Sequence, residues 1–185
     1  MKKLATLFQD SYNELKSVRT ITAMAMFAAV GVILGSLTIQ IGDFIKIGFS
    51  SIANQFVYYL FGPAVGAFYG GALDILKYLV KPTGVFFPGW TLSAMTAGVI
   101  YGCFFYKKKL SLWRVLAAEF TVSAVCNIFL GTLWLTMMYE KGFLVLLPMR
   151  VLKNLVMWPI NSFLFYTMTW TMEQSGVFRL IRRSV

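Results

Sequence analysis

The sequence predicts an all-α integral membrane fold of six transmembrane helices, with a short second helix and both termini cytoplasmic. Three observations predict it. The 185-residue chain is 58% hydrophobic and only 13% charged, with a mean hydropathy of +0.71, so it lacks the polar residues that a soluble surface of this size requires. Several of its uncharged runs approach the roughly 20 helical residues that cross a hydrocarbon core. Its 17 basic residues divide unevenly between the two sides of a membrane only when the spans number six.

The elements follow in order. The opening "MKKLATLFQDSYNELKSVRT" is too charged for a signal peptide and has no continuous apolar core. Leu4, Phe8, Tyr12 and Leu15 recur at helical spacing, so residues 1–19 are expected as a cytoplasmic segment, either a short helix on the membrane surface or a solvated tail. Residues 20–42 form an uncharged first span. The loop after it alternates polar and apolar residues from Phe44 to Phe49, which suits a small hairpin or an extended cap. Residues 47–73 are uncharged but interrupted by "FGP" at Phe61 to Pro63. Residues 82–106, 120–139 (with a start extending back toward Trp113) and 144–172 supply the remaining spans. The six-helix domain covers 20–175, and 176–185 is a basic cytoplasmic tail.

Residues 47–73 are either one helix or two short ones. With two, Lys2, Lys3, Lys16, Arg19, Lys107, Lys108, Lys109, Arg114, Arg179, Arg182 and Arg183 are all cytoplasmic, eleven of the 17 basic residues. With one, the "KKK" at Lys107 falls outside and the 17 split nearly evenly. Only the six-span arrangement obeys the positive-inside rule, and proline after glycine breaks a helix readily. It also brings Asp43, Lys46, Asp74, Lys77, Lys81, Glu140, Lys141, Arg150 and Lys153 to the external face.

Within the spans, Gly62, Gly66, Gly70 and Asp74 stand four apart and share one helix face. The glycines suit close helix packing. Asp74 continues their stripe into the bundle, where an ionisable group is a functional candidate; a structural ion pair with Lys77 or Arg150 is the alternative. In "PMRVLKNLVMWPIN", Arg150 and Asn154 share a face. Lys153 is expected to snorkel to the interface, whereas the Arg150 fork suits a carboxylate. The loop "KPTGVFFPGW" presents Phe86, Phe87 and Trp90 as an interfacial belt or as a stacking wall for a flat ligand. Asn54 and Gln55 begin the short second span, where amides need partners. Ala25 and Ala29 give the first span a smooth face, for internal packing or for docking another membrane subunit.

The residue types also exclude functions. There is no histidine, and Cys103 and Cys126 lie in apolar runs, so metal sites and cofactors are not expected. No phosphate-binding Gly-Lys-Ser/Thr loop is present, so the chain is no ATPase by the usual route. The net charge of +10 is explained by cytoplasmic loops facing anionic lipid rather than by nucleic acid.

The residues of "FGPAVGAFYGGALDILKYLVKPTGVFFPGWTLSAMTAGVIYG" and "RVLKNLVMWPINSF" resemble the S components of energy-coupling factor (ECF) transporters, most of all the folate-specific ones. The likeness spans Ile21 to Trp170; Trp90 stands where those proteins more often have phenylalanine. The resemblance implies six helices with both ends cytoplasmic and an external vitamin site closed by loops. It implies partners: a membrane coupling subunit and two cytoplasmic ATPases. It implies an alanine motif on the first helix that docks the coupling subunit, at a spacing that Ala25 and Ala29 match. On that footing Asp74 is expected to accept the pterin N–H and NH₂ donors, with Trp90 or Phe87 against the ring. Arg150, Lys77 or Lys46 would hold the glutamate tail, with Asn154 and Asn54 nearby. Another vitamin such as pantothenate, and a membrane assembly factor without a transport role, are the alternatives.

Overall fold

The computed structural model describes residues 2–36, 38–41, 45–48, 50–82, 86–139 and 143–174. Its helices are α1 (Lys2–Glu14), α2 (Val18–Ser36), α3 (Ser50–Val80), α4 (Pro88–Phe105), α5 (Leu112–Val122), a π-helical stretch Ser123–Leu130, α6 (Gly131–Tyr139) and α7 (Phe143–Gln174). Between α2 and α3, β1 (Thr38–Ile41) and β2 (Ile45–Gly48) pair antiparallel, Thr38 opposite Gly48 and Ile41 opposite Ile45.

The break expected at Gly62–Pro63 is a full reversal. Gly62 has φ +87° and ψ −168°, a conformation that costs little only without a Cβ, and Pro63 follows with no N–H to place. The two arms of α3, 50–61 and 63–80, then run back along each other. Gly35 of α2 packs beside both Ser50 and Lys77, Gly31 beside both Asn54 and Leu73, and the Tyr58 ring meets Tyr69 edge-on at 6.1 Å. The first arm is about 18 Å long at 1.5 Å per residue. Counted this way the described residues form six rods: α2, the two arms of α3, α4, the continuous α5–π–α6 rod, and α7. Among the described residues, Val18–Gly35, Ser50–Val80 and Leu112–Met138 are long and apolar enough to cross a membrane.

The glycine stripe packs against α4. A methyl at Gly66 would stand 2.7 Å from the Gly98 carbonyl oxygen, and one at Gly70 would stand 2.6 Å from that of Ala94. Only bare backbone permits this approach, and in lipid such packing is a main source of helix association. Asp74, next on the stripe, therefore faces Thr91 of α4, not lipid.

The core is aromatic. Phe27 of α2, Phe56 of α3, Phe165 of α7 and Phe105 of α4 touch in sequence at 6.4, 5.8 and 5.2 Å, and Tyr101 and Tyr58 continue the stack at 5.7 and 5.8 Å. A buried polar cluster lies beside it. Gln55, 3% exposed, donates to Glu119 Oε1 at 2.6 Å and to the Tyr101 hydroxyl at 3.3 Å; Glu119 is 6% exposed. These bonds join the first arm of α3, α4 and α5.

The segment before the first span is a helix seated against the α3 reversal. Ser11 of α1 is fully buried. Its hydroxyl donates to Phe61 O at 2.7 Å and accepts from Ala64 N at 3.0 Å and Val65 N at 3.1 Å. The second arm of α3 is thus capped by a side chain from another helix, which satisfies N–H groups that a helix start leaves open. Lys107 pairs with Asp10 at 2.7 Å, and that hydrogen bond raises the Lys107 pKa. Tyr59 donates to Glu173 near the end of α7. The helix α1, the α3 reversal, the α4–α5 turn and the end of α7 therefore share one end of the bundle.

Candidate functional site

The opposite end carries the singled-out side chains. Pro88 in the first turn of α4 opens that helix with a fixed φ suited to a helix start, and this sets Phe87, Trp90 and Thr91 around one helix end. The Phe87 ring lies 5.6 Å from Trp134 of α6, and Gly89 leaves room for both rings. Trp134 is fixed by its indole N–H, which donates to Ser93 Oγ at 2.9 Å. Trp90 is half-buried, and the Arg150 guanidinium of α7 stands over its ring at 5.8 Å, within cation–π range.

Arg150 Nη1 donates to the Asn127 carbonyl at 2.8 Å. That is one of five N–H donors on the fork. Asp74 Oδ2 accepts the Thr91 hydroxyl at 2.8 Å, one residue from Trp90. Among the described residues, neither Lys77 nor Arg150 forms an ion pair with Asp74.

The expected site residues thus divide. Asp74, Trp90, Phe87 and Arg150 meet around the start of α4. Lys77 packs beside Gly35, and Asn54 beside Gly31, on the α2 side of α3. The Asn54 Oδ1 atom is buried without a hydrogen-bond partner. Asn154 donates back to the Arg150 carbonyl in its own helix at 2.9 Å. The Lys46 side chain lies outside the described residues. Ala25 and Ala29 are exposed on α2, away from the core, whereas Ala28 is turned partly inward.

Sequence reasoning did not single out Thr91, Trp134 or Glu119. Trp134 and Thr91 sit in apolar runs with nothing to distinguish them, and their roles come from inter-helix register. Glu119 carried a signal: a lone carboxylate where the fifth span extends back toward Trp113. Among the described residues no group of three His, Cys, Asp or Glu side chains is placed to hold a metal.

Chemically, among the described residues the arrangement offers aromatic faces, guanidinium N–H donors beyond the one bonded to Asn127, and the Asp74 oxygen that Thr91 does not take. It suits a flat, donor-bearing ring joined to an anionic group.

The family described as "ECF transporter, substrate-specific component" matches residues 19–169. The chain is 35% identical over 153 residues to the folate transporter FolT of Clostridium novyi (strain NT), covering 82% of this chain and 88% of that one. It is 31% identical over 154 residues to the folate transporter FolT of Leuconostoc mesenteroides subsp. mesenteroides, covering 80% and 83%. The crystal structure of FolT bound with folic acid superposes with a TM-score of 0.74 at 31% identity, covering 82% of this chain and 93% of that one.

Proposed function

The chain belongs to the family of ECF transporter substrate-specific components, and on that premise we propose that it captures folate at the outer face of a bacterial plasma membrane. It is a membrane transport component. The observation that carries the ligand is the cluster of Asp74, Trp90, Phe87 and Arg150 at one end of the bundle, in a fold shared with a FolT that holds folic acid. The pterin edge presents an N–H and an NH₂ to Asp74, the ring lies against Trp90 or Phe87, and Arg150 holds a carboxylate of the glutamate tail. Lys77, Lys46, Asn154 and Asn54 are assigned to the same ligand as further contacts outside that cluster.

The end that carries α1 and Lys107, Lys108, Lys109 and Arg114 is cytoplasmic, as their charge favours, and both termini lie on that side. A membrane coupling subunit and two cytoplasmic ATPases supply the energy that this chain has no motif to generate. Ala25 and Ala29 dock the coupling subunit; their exposure on α2 supports this.

Mass spectrometry of small molecules retained by the detergent-purified chain tests the assignment. Folate is the expected species. Retention of pantothenate or another vitamin in its place overturns the choice of ligand, and failure to co-purify with ATPase subunits overturns the transport role.

A further inference from the structure

Asn127 carries a carbonyl that its own helix does not use in the ordinary way. In an α-helix the N–H of residue 131 would bond the carbonyl of residue 127. Here the Gly131 N–H goes to Cys126 O and Ile128 O, because the π-helical stretch Ser123–Leu130 has shifted the register by one residue. The Asn127 oxygen is thus not taken by the Gly131 N–H, and Arg150 Nη1 donates to it.

Gly131 completes the arrangement. Its φ of −63° and ψ of −33° are ordinary helical values, so the backbone does not require glycine. Glycine is also a poor helix former. With Arg150 where it stands, a methyl there would collide with its Nη1, lying 3.4 Å from its Cζ and 3.3 Å from Cys126 O, so an added methyl displaces the guanidinium. The guanidinium therefore lies directly on the bare helix at Gly131, held at one N–H by Asn127 and backed on one face by Trp90. Its remaining donors lie in the plane of the fork, the geometry for bidentate capture of a carboxylate.

We propose that the π-helical turn and Gly131 form a seat for Arg150, and that Gly131 is a positioning residue which, through Arg150, sets recognition of the ligand's carboxylate tail. This rests on the reading of Arg150 as the tail-binding group. Gly131 touches no ligand itself; it fixes where the fork points.

The test compares the unchanged chain, Gly131→Ala, Arg150→Ala and the double variant. Each is titrated calorimetrically with folate and with pteroate, which lacks the glutamate tail, and its thermal midpoint in detergent is measured. Gly131→Ala is expected to weaken folate about tenfold or more and pteroate less than about twofold, and to weaken folate no further once Arg150 is alanine, because residues acting through one another are not additive. Equal losses for both ligands, or an undiminished loss in the Arg150→Ala background, overturn the proposal and make Gly131 a packing residue. If Gly131→Ala fails to fold and the double variant folds, the collision is with Arg150 and the seat stands; if both fail, it falls. If the unchanged chain binds neither ligand, or Arg150→Ala leaves folate untouched, the tail-binding reading fails by itself. The midpoints then judge the seat alone, which requires that Gly131→Ala destabilise only when Arg150 is present.

Discussion

The Asp74 carboxylate accepts the Thr91 hydroxyl at 2.8 Å across the α3–α4 interface. Thr91 takes one oxygen, and among the described residues no donor takes the other. On the proposed folate reading, Asp74→Asn keeps the size but turns an amide donor toward the pterin donors. Charged hydrogen bonds contribute roughly 1.5–3 kcal/mol each, so folate affinity is expected to fall by about tenfold or more. The loss should be the same for pteroate, whereas the loss from Arg150→Ala should shrink there. Calorimetric titration reads both. Unaltered folate binding by Asp74→Asn with a lowered thermal midpoint would reduce Asp74 to a structural partner of Thr91.

Ser11 makes three hydrogen bonds at the α3 reversal with a single hydroxyl. Ser11→Ala leaves the Ala64 and Val65 N–H groups without that acceptor, where water has little access. A loss of about 1–3 kcal/mol is expected, seen as a lower thermal midpoint in detergent. Folate affinity measured well below that midpoint should hold, since the reversal is at the opposite end from Asp74 and Arg150. An unchanged midpoint would mean that α1 does not cap the arm in solution.

Ala25 and Ala29 face outward on α2. Replacing both with bulky residues is expected to abolish folate uptake by cells while the purified chain binds folate as before. Loss of binding in the purified chain would show that these alanines serve internal packing.

Lys108 belongs to the end of the bundle that holds α1. In a background without Cys103 and Cys126, a cysteine at position 108 should resist an impermeant thiol reagent in intact cells and react after permeabilisation. Labelling of intact cells would sink the six-span topology.

The sequence made some of this legible for definite reasons. Gly62–Pro63 marks a reversal because the two residues bring the required φ and the missing N–H in themselves. The spacing of Gly62, Gly66, Gly70 and Asp74 marks a face because helix periodicity is local. The partners across that face were not legible. That Asp74 meets Thr91, that Trp134 meets Phe87 and that Gln55 meets Glu119 depends on how far one helix slides along another, which no single segment records. The π-helical turn left no mark either, since "SAVCNIFL" reads as ordinary apolar helix. Gly131, which follows it, is indistinguishable in the sequence from any other small residue of a span.

The reach of the Gln55–Glu119 bond across 64 residues bears on biogenesis. Ribosomes add about 5–20 residues per second, so Gln55 leaves the ribosome on the order of 3–13 seconds before its partner. During that interval the first arm of α3 has an amide without Glu119 to receive it, and an unsatisfied amide in hydrocarbon costs several kcal/mol. Ser11, by contrast, is made before the reversal it caps. The two arms can therefore close early at the α1 end, while their burial beside α5 must wait for later synthesis. A nascent chain halted between Gln55 and Glu119 would hold a hairpin whose Gln55 amide lacks its Glu119 partner.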